Sequence, residues 1–366
     1  MKVKIGDITK IKTGKLDANA SSEDGEYPFF TCSKEPLWIS TYSYDCECVL
    51  VAGNGDLNVK YYNGKFDAYQ RTYIIEDNSD GKLFMPYLYY FMEGYVEELR
   101  KQAIGGVIKY IKLGNLTNAM IELPDVEIQK KIVNILSKTK DVLDSRSHQI
   151  DMLDNLIKAR FVELFGTLHD NENGFDVVAI EDVCSLVKDG THQTPQYTED
   201  REEGFKFLSS KDVMSQKIDW TDIKYISAEL HEKLYATIKP QRNDILMSKN
   251  GVNYGVAAVN DTDEVFDIYV SLALLRPKEI IDPVFFRCVI NNPETKRQFD
   301  SSIKGIGVPN LHLGEIKKTK IFLPPMELQN EFVAFVEQVD KSKVVVQKAF
   351  DETQMLYNSL LQEFFG

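Results

Sequence analysis

Two stretches of the chain carry apolar side chains at heptad spacing, and both predict long amphipathic helices. One lies between Pro124 and Gly166, the other between Pro324-Pro325 and Gly366, and neither has an internal glycine or proline. Each predicts a helix of roughly 40 residues, about 57 Å long at 1.5 Å per residue. The predicted seam residues are Ile128, Ile132, Ile135, Val142, Leu153 and Leu156 in the first helix, and Leu328, Phe332, Phe335, Val339, Val346, Ala349, Leu356 and Leu360 in the second.

An apolar seam of this length must be covered. Each helix could pack on its neighbouring globular domain, but we favour the two helices packing on each other as a coiled coil. Four further apolar residues widen the stripe of the first helix: Leu136, Leu143, Ile150 and Ile157. Polar residues also occupy predicted seam positions, where they would fix the register of the pair: Thr139, Arg146, Gln149, Ser342 and Thr353.

The other two parts of the chain, residues 1–124 and 167–324, contain short runs rich in Tyr, Phe, Val and Ile that Gly, Asn and Asp interrupt. Such runs are typical of short strands. Opening strands are predicted over residues 3–11 and 177–187, and helices over residues 85–102 and 283–299, each with a proline in its first turn. These parts therefore predict two mixed α/β domains.

The chain also contains an internal repeat. Four separated blocks recur at an offset of 200 residues, which predicts a tandem duplication. The blocks that recur are Phe66–Tyr69 with Phe266–Tyr269, Leu113-Gly114 with Leu313-Gly314, Leu123–Gln129 with Leu323–Gln329, and Glu163–Gly166 with Glu363–Gly366.

The two copies differ inside this shared frame. Gly14 matches Gly190 at an offset of 176, whereas Gly55 matches Gly251 at an offset of 196, so the second copy carries 20 additional residues between these points. A conserved frame with a divergent interior suits two copies that recognise different things.

Composition narrows the class of protein. The chain has 366 residues, a net charge of −13 and five scattered cysteines, and no apolar run approaches the length of a membrane span. The N-terminus lacks the layout of a signal peptide, so we expect a cytoplasmic protein with reduced thiols. The negative charge alone argues against nucleic-acid binding.

No candidate active site is found in the sequence. Thr13-Gly14-Lys15 is followed by Leu16, so it is not a phosphate-binding loop, and no glycine-rich cofactor loop follows a strand. The Asn/Asp-Pro-Pro-aromatic turn of an amino-methyltransferase is missing, and the five histidines show no metal-ligand spacing. The sequence therefore favours a binding protein without a catalytic or metal site over a methyltransferase or nuclease.

The order of the motifs carries a family resemblance. Each variable domain is followed by a long helix that begins at Leu-Pro-x-x-Glu-x-Gln and ends at Phe-Gly. This layout resembles the specificity subunit of Type I restriction–modification systems over essentially the whole chain. The resemblance implies an α+β fold with a pseudo-twofold internal repeat, in which two target-recognition domains (1–124 and 167–324) are separated by two conserved helices (125–166 and 325–366) that form an antiparallel coiled coil.

The resemblance also implies function and partners. Such subunits are non-catalytic: each recognition domain reads one half of a split double-stranded DNA target, and the coiled coil sets the spacing and docks two methyltransferase subunits. Restriction/translocase subunits join that core. S-adenosylmethionine, ATP and Mg²⁺ would be bound by those partners, and no cofactor by this chain. A related restriction system with different cleavage geometry would fit equally well.

Basic, glycine-containing segments recur at matched positions, around residues 100–112 and 296–320, although neither half of the chain is basic overall. Glycines there would let backbone N–H groups approach phosphates. Ordinary solvated turns are the alternative at each position. The candidate DNA-binding residues are Lys60, Arg71, Lys109, Lys112, Lys249, Asn250, Asn253, Lys304 and Lys317.

A coiled-coil scaffold with two protein- or glycan-binding domains is the rival hypothesis. The matched basic loops and the divergence within the repeat favour DNA, because a scaffold would more naturally repeat similar binding faces.

Overall fold

The computed structural model describes residues 1–303 and 309–366. The chain is a mixture of helices and strands, and it divides into two units. Unit 1 comprises residues 1–150 and 345–366, and unit 2 comprises residues 151–344. The predicted fold class is confirmed, whereas the predicted four-part division at residues 124, 166 and 324 stays a prediction.

Unit 1 contains the first eight strands and the first three helices, and a fourth, long helix begins in it. The strands are β1 (Lys2–Lys4), β2 (Thr9–Thr13), β3 (Tyr27–Phe30), β4 (Leu37–Ile39), β5 (Tyr44–Ala52), β6 (Val59–Ala68), β7 (Thr72–Asp77) and β8 (Met120–Glu122). The helices are α1 (Ile5–Ile8), α2 (Met85–Gln102), α3 (Leu113–Thr117) and α4 (Val126–Phe165).

A six-stranded sheet forms the centre of unit 1, with the order β2-β7-β5-β6-β3-β4. All neighbours are antiparallel except β3 and β6, where Phe29 lies opposite Asp67 in a parallel pair. Alternate residues of β5 point to opposite faces. Val49 and Val51 therefore join the core under α2, while Cys48 and Leu50 join a second core on the other face.

Unit 2 contains the remaining strands and helices, except that α9 begins in unit 2 and its last part, from Val345, belongs to unit 1. The strands are β9 (Asp176–Ala179), β10 (Cys184–Asp189), β11 (Tyr197–Thr198), β12 (Phe205–Leu208), β13 (Lys224–Ile226), β14 (Ile245–Ser248), β15 (Ala257–Val259), β16 (Phe266–Ile268), β17 (Leu272–Pro277) and β18 (Lys320–Leu323). The helices are α5 (Ala228–Tyr235), α6 (Pro283–Ile290), α7 (Pro293–Ser302), α8 (Leu313–Lys318) and α9 (Met326–Phe365).

The sheets of unit 2 repeat the strand order of unit 1. The order β10-β17-β14-β15 corresponds to β2-β7-β5-β6, and β12 pairs in parallel with β16 as β3 does with β6. Helix α5 lies within the additional residues that the sequence places between Gly190 and Gly251. The repeat inferred from sequence is therefore present in the strand topology of both units.

Two predicted elements differ from the structure. Each predicted opening strand is two strands joined by a helical turn: β1, α1 and β2 in unit 1, and β9, a 3₁₀ turn at Ile180–Val183 and β10 in unit 2. In α1 the side chains of Ile5 and Ile8 are both buried, and Thr9 Oγ1 donates to the Ile5 carbonyl at 2.7 Å, closing the turn. Ile5 and Ile8 are spaced by three, so they share one face of a helical turn, whereas in a strand they would point to opposite faces.

The second difference concerns the helix predicted over residues 283–299. Helix α2 is continuous as predicted, but its counterpart is broken into α6 and α7. Pro293 begins α7, and the Asn292 side chain accepts a hydrogen bond from the Glu294 N–H at 2.9 Å. This cap starts a new helix, because proline lacks the N–H that would continue the old one.

The two long helices, α4 and α9, are each 40 residues long, as predicted. The repeated glutamine of the Leu-Pro-x-x-Glu-x-Gln motif fixes the start of each. Gln129 is fully buried; its Oε1 accepts from the Phe84 N–H at 2.8 Å, and its Nε2 donates to the Lys82 and Pro124 carbonyls. Gln329 makes the equivalent bonds in unit 2, to the Asp282 N–H and the Ile280 and Pro324 carbonyls.

Within each unit the two helix segments pack antiparallel. In unit 1, Arg146 donates to the Ala349 carbonyl and to Thr353 Oγ1, while Leu136, earlier in α4, clusters with Tyr357, later in α9. In unit 2, Lys343 pairs with Asp154 at 2.6 Å, and Arg160 with Glu331 at 2.6 Å. The preferred helix pairing is confirmed, and the helix ends also join the domain cores, as Phe161 and Phe332 do in unit 2.

The seam runs along a different edge of the apolar stripe than predicted. Five predicted seam residues are exposed: Ile128, Ile135, Val142, Leu156 and Leu356. Leu136, Leu143 and Tyr357 are buried in their place. The apolar stripe on α4 is two residues wide, so heptad spacing describes the edge that contains Val142 as well as the edge that contains Leu143. Of the other predicted residues, Phe332 and Val339 are buried, and the following are half-buried: Ile132, Leu153, Leu328, Phe335, Val346, Ala349 and Leu360.

Candidate nucleic-acid interface

Loops that follow three strands meet a fourth segment in each unit. Platform 1 comprises residues 14–16, 53–58, 69–72 and 104–111, which follow β2, β5, β6 and α2. Platform 2 comprises residues 190–192, 249–255, 269–272 and 309–311, of which the first three follow β10, β14 and β16. The four segments of each platform are joined by backbone hydrogen bonds.

The bonds of platform 1 hold its loops in a fixed arrangement. The Gly53 N–H donates to the Arg71 carbonyl at 2.8 Å, and the Ile111 N–H donates to the Gly53 carbonyl at 2.9 Å. The Gly55 N–H donates to the Lys109 carbonyl at 3.0 Å. A single loop, residues 53–58, therefore ties the turn after β6 to the segment after α2.

Platform 2 repeats these bonds with different residues. The Lys249 N–H donates to the Ser271 carbonyl at 2.9 Å, the Leu311 N–H donates to the Lys249 carbonyl at 2.7 Å, and the Gly251 N–H donates to the Pro309 carbonyl at 3.0 Å. The two units thus present the same backbone frame with unlike side chains.

Close backbone approach requires a glycine at the same place in both platforms. A Cβ atom at Gly14 would lie 2.1 Å from the Ala68 carbonyl oxygen, and one at Gly190 would lie 2.0 Å from the Ile268 carbonyl oxygen. Any other residue would push the loop after β2 away from the loop after β6 in unit 1, and the loop after β10 away from the loop after β16 in unit 2. The recurring Thr-Gly and Asp-Gly pairs are the sequence signal for this close approach, although the sequence alone assigns them no role.

In unit 1 the structure brings most of the predicted DNA-binding residues to platform 1 or beside it. Arg71, Lys109 and Lys112 are exposed, and none of them forms a salt bridge with a described residue. Lys60 is half-buried and donates to Asn58 Oδ1, and burial lowers the pKa of its ammonium group. Arg100 in the same basic segment is engaged by Asp56 and Glu97.

In unit 2 the predicted residues differ in exposure. Asn253 is exposed, whereas Asn250 is half-buried on the platform and bridges Asn310. Lys317 is half-buried and lies on α8, outside platform 2. Lys304 lies outside the described residues.

Lys249 differs from the sequence prediction. The sequence makes Lys249 a candidate DNA-binding residue, but Lys249 is buried, and its Nζ donates to Asp189 Oδ2 at 2.6 Å. Burial alone would raise the pKa of Asp189, but the hydrogen bond and charge of Lys249 outweigh it and hold that pKa below its usual value. Asp189 could not be identified as the partner from the sequence, because 60 residues separate the two.

Metal sites and membrane-spanning helices were also sought in the described part of the chain. Among residues 1–303 and 309–366, no three His, Cys, Asp or Glu side chains are grouped so that they could hold a metal ion. Within the same residues, no helix is both long and apolar enough to cross a membrane.

Comparisons with known proteins point to one family. The family model described as the Type I restriction modification DNA specificity domain matches residues 1–153 and 172–349. The Type I restriction enzyme EcoDI specificity subunit of Escherichia coli is 25% identical over 401 residues, which cover 100% of this chain and 86% of that protein. These matches give no support to the rival hypothesis of a coiled-coil scaffold for protein or glycan binding.

Two solved structures share the fold. The S subunit of the Type I restriction–modification system from M. genitalium aligns with a TM-score of 0.59 at 16% identity, covering 100% of this chain and 96% of that one. A chain from a structure that describes assembly and conformational transition of the type I R-M system aligns with a TM-score of 0.52 at 15% identity, covering 100% and 97%. The family match spans most of the chain and both repeats, so the chain belongs to the family of Type I restriction modification DNA specificity domains and is a DNA sequence-specificity subunit of that class.

Proposed function

We propose that platform 1 and platform 2 each read one half of a split double-stranded DNA target. The observation that carries this proposal is the shared backbone frame: the same loops are joined by the same hydrogen bonds, while the side chains on them differ. A conserved frame places each reader in the same way on a duplex, and unlike side chains give the two half-sites different sequences.

The charge of the chain is compatible with this role. The net charge is −13, so non-specific attraction to phosphates is weak, but Arg71, Lys109 and Lys112 place exposed cations on and beside platform 1. DNA affinity of the chain alone should be low and should fall with salt, because binding to phosphates releases counterions. Partner subunits would supply the remaining positive charge.

The exposed edge of α4 suits a partner. Ile128, Ile135, Val142 and Leu156 lie on it at intervals of seven or fourteen residues and are more than two-fifths exposed. We infer that two methyltransferase subunits dock on the outer faces of the long helices, because an exposed apolar stripe gains stability when a partner covers it. Restriction/translocase subunits would join this core, and the helix pair would set the gap between the half-sites.

Catalysis and cofactors are assigned to those partners in this proposal. S-adenosylmethionine, ATP and Mg²⁺ would be bound by the methyltransferase and restriction subunits, and this chain would act without catalysis. A cytoplasmic location stays a prediction.

The test uses this chain assembled with its methyltransferase subunits. A complex that carries Arg71→Glu and Lys109→Glu should bind target duplex more weakly, and the slope of log affinity against log salt should become shallower by about one for each phosphate that the variant no longer neutralises. The control is Lys82→Glu, an exposed lysine outside the platforms, which should change neither quantity. Unchanged affinity and salt slope in the double variant would contradict the proposal.

A further inference from the structure

The segment after α2 in unit 1 ends in an exposed apolar tip. Ile104 and Tyr110 exchange backbone hydrogen bonds of 3.0 and 2.9 Å, which close a narrow loop. Gly105 turns the chain with a φ of +121°. At the end of the loop Val107 is fully exposed and Ile108 is 63% exposed.

A single exposed aliphatic residue needs no explanation, but several on one loop tip do. Ile104 is also exposed, so three aliphatic side chains lie in water within five residues. They are not covered by any described part of the chain. We call this group, residues 104–108, the aliphatic tip.

The aliphatic tip is held against platform 1. Tyr110 forms a β-bridge to Asn54 as well as to Ile104, and the Gly55 N–H donates to the Lys109 carbonyl at 3.0 Å. The tip is followed by Lys109 and Lys112, which are exposed and without a salt bridge to a described residue. A polyanion drawn to these cations would therefore come close to the apolar tip.

Duplex DNA offers one aliphatic group to such a surface, the 5-methyl group of thymine in the major groove. Val107 and Ile108 are branched at Cβ, so they present methyl groups close to the backbone. Val107, the most exposed aliphatic residue of the tip, is too short to wedge between base pairs as Phe, Leu, Ile and Met do. We propose that the aliphatic tip contacts thymine methyl groups and so sets the requirement for thymine in the half-site that unit 1 reads; this rests on the proposed DNA-reading function of platform 1.

The test is a double-substitution cycle on the assembled complex with its methyltransferase subunits. The duplexes carry the target mapped from methylated DNA, with each thymine in turn replaced by deoxyuridine, which pairs identically but lacks the methyl group. For the wild-type chain, removal of the contacted methyl should weaken binding about fourfold, the factor that corresponds to about 0.8 kcal/mol for one buried methyl group.

In the Val107→Ala or Ile108→Ala chain, the same uracil substitution should have almost no further effect, because the side-chain methyl groups that meet the thymine methyl are already removed. The control is Val265→Ala, an exposed valine outside both platforms, which should keep the full uracil effect. Uracil effects that are equal in the wild type and in both tip variants would overturn the inference, as would a target half-site without thymine.

Two further outcomes separate the possible failures. If the tip variants instead release methyltransferase subunits in the absence of DNA, the tip is a protein-docking surface and the inference is wrong, while the DNA-reading function stands. If the wild-type complex binds its target no more tightly than unrelated duplex, the proposed function itself fails, regardless of the effect of uracil substitution on affinity.

Discussion

The edge of α4 that faces α9 can be tested with two neighbouring residues. Leu143 is 7% exposed and clusters with Leu136, Tyr90 and Tyr357, whereas Val142 is 42% exposed. Leu143→Ala removes a buried side chain and leaves a cavity, which costs about 2–5 kcal/mol of unfolding free energy. Val142→Ala removes an exposed group and also raises helix propensity, so its effect should stay within about 0.5 kcal/mol.

The assay is thermal and urea unfolding of the full chain, followed by circular dichroism and tyrosine fluorescence. The destabilisation by Leu143→Ala corresponds to a fall of roughly 4–20 °C in the midpoint of unit 1, at about 2–4 °C per kcal/mol for a unit of this size. Val142→Ala should leave the midpoint unchanged. Equal destabilisation by both variants, or a larger effect of Val142→Ala, would refute the assigned seam.

Three further predictions concern the helix starts, the helix pair and platform 2. Gln129→Ala should cost about 2–4 kcal/mol in unfolding free energy, because the fully buried Gln129 side chain satisfies three backbone groups that would each lose a hydrogen bond. Gln149→Ala, on the exposed face of α4, should cost nearly nothing, and equal urea midpoints for the two variants would contradict this. Insertion of one helical turn within residues 135–150 should change the gap between methylated half-sites or abolish assembly, as read by sequencing of methylated DNA; an unaltered gap would defeat the spacer role. Asp189→Asn leaves the buried Lys249 without its anion and should destabilise unit 2 by about 3–5 kcal/mol at pH 7. The pKa of Asp189 is lowered in the folded state, so the ion pair stabilises the fold above the unfolded pKa of about 3.9, and this stabilisation is lost as the pH falls further. If the difference in unfolding free energy between wild type and variant is the same at pH 3 as at pH 7, the ion pair is not its source.

Elements that depend on long, uninterrupted patterns could be predicted from the sequence. Helices α4 and α9 begin after prolines, end at Gly166 and Gly366, and contain no breaker, so their bounds were predictable. The repeat was visible because its matching blocks sit at turns and helix ends. The seam could not be chosen between Val142 and Leu143, because a stripe two residues wide fits either edge and only the partner helix decides.

The site depended more on residues distant in sequence. The positions of the loops after β5 and β14 were predictable, since both contain an Asn-Gly turn. The role of Lys249 was not, because its charge is balanced by Asp189 on a strand 60 residues away. The short turn α1 could not be predicted for a different reason: a helix of four residues is too short to show a helical period within a run rich in Val and Ile.

The central claim is that this chain carries two DNA-reading platforms, which share a backbone frame but recognise different sequences. The most direct test is single-molecule sequencing of methylated DNA from cells that express this chain with its methyltransferase subunits. We predict methylation within a split target whose two halves differ and are separated by a constant gap, and we predict that substitutions on platform 1 alter one half only. A continuous target, or platform 1 substitutions that alter both halves together, would contradict the claim.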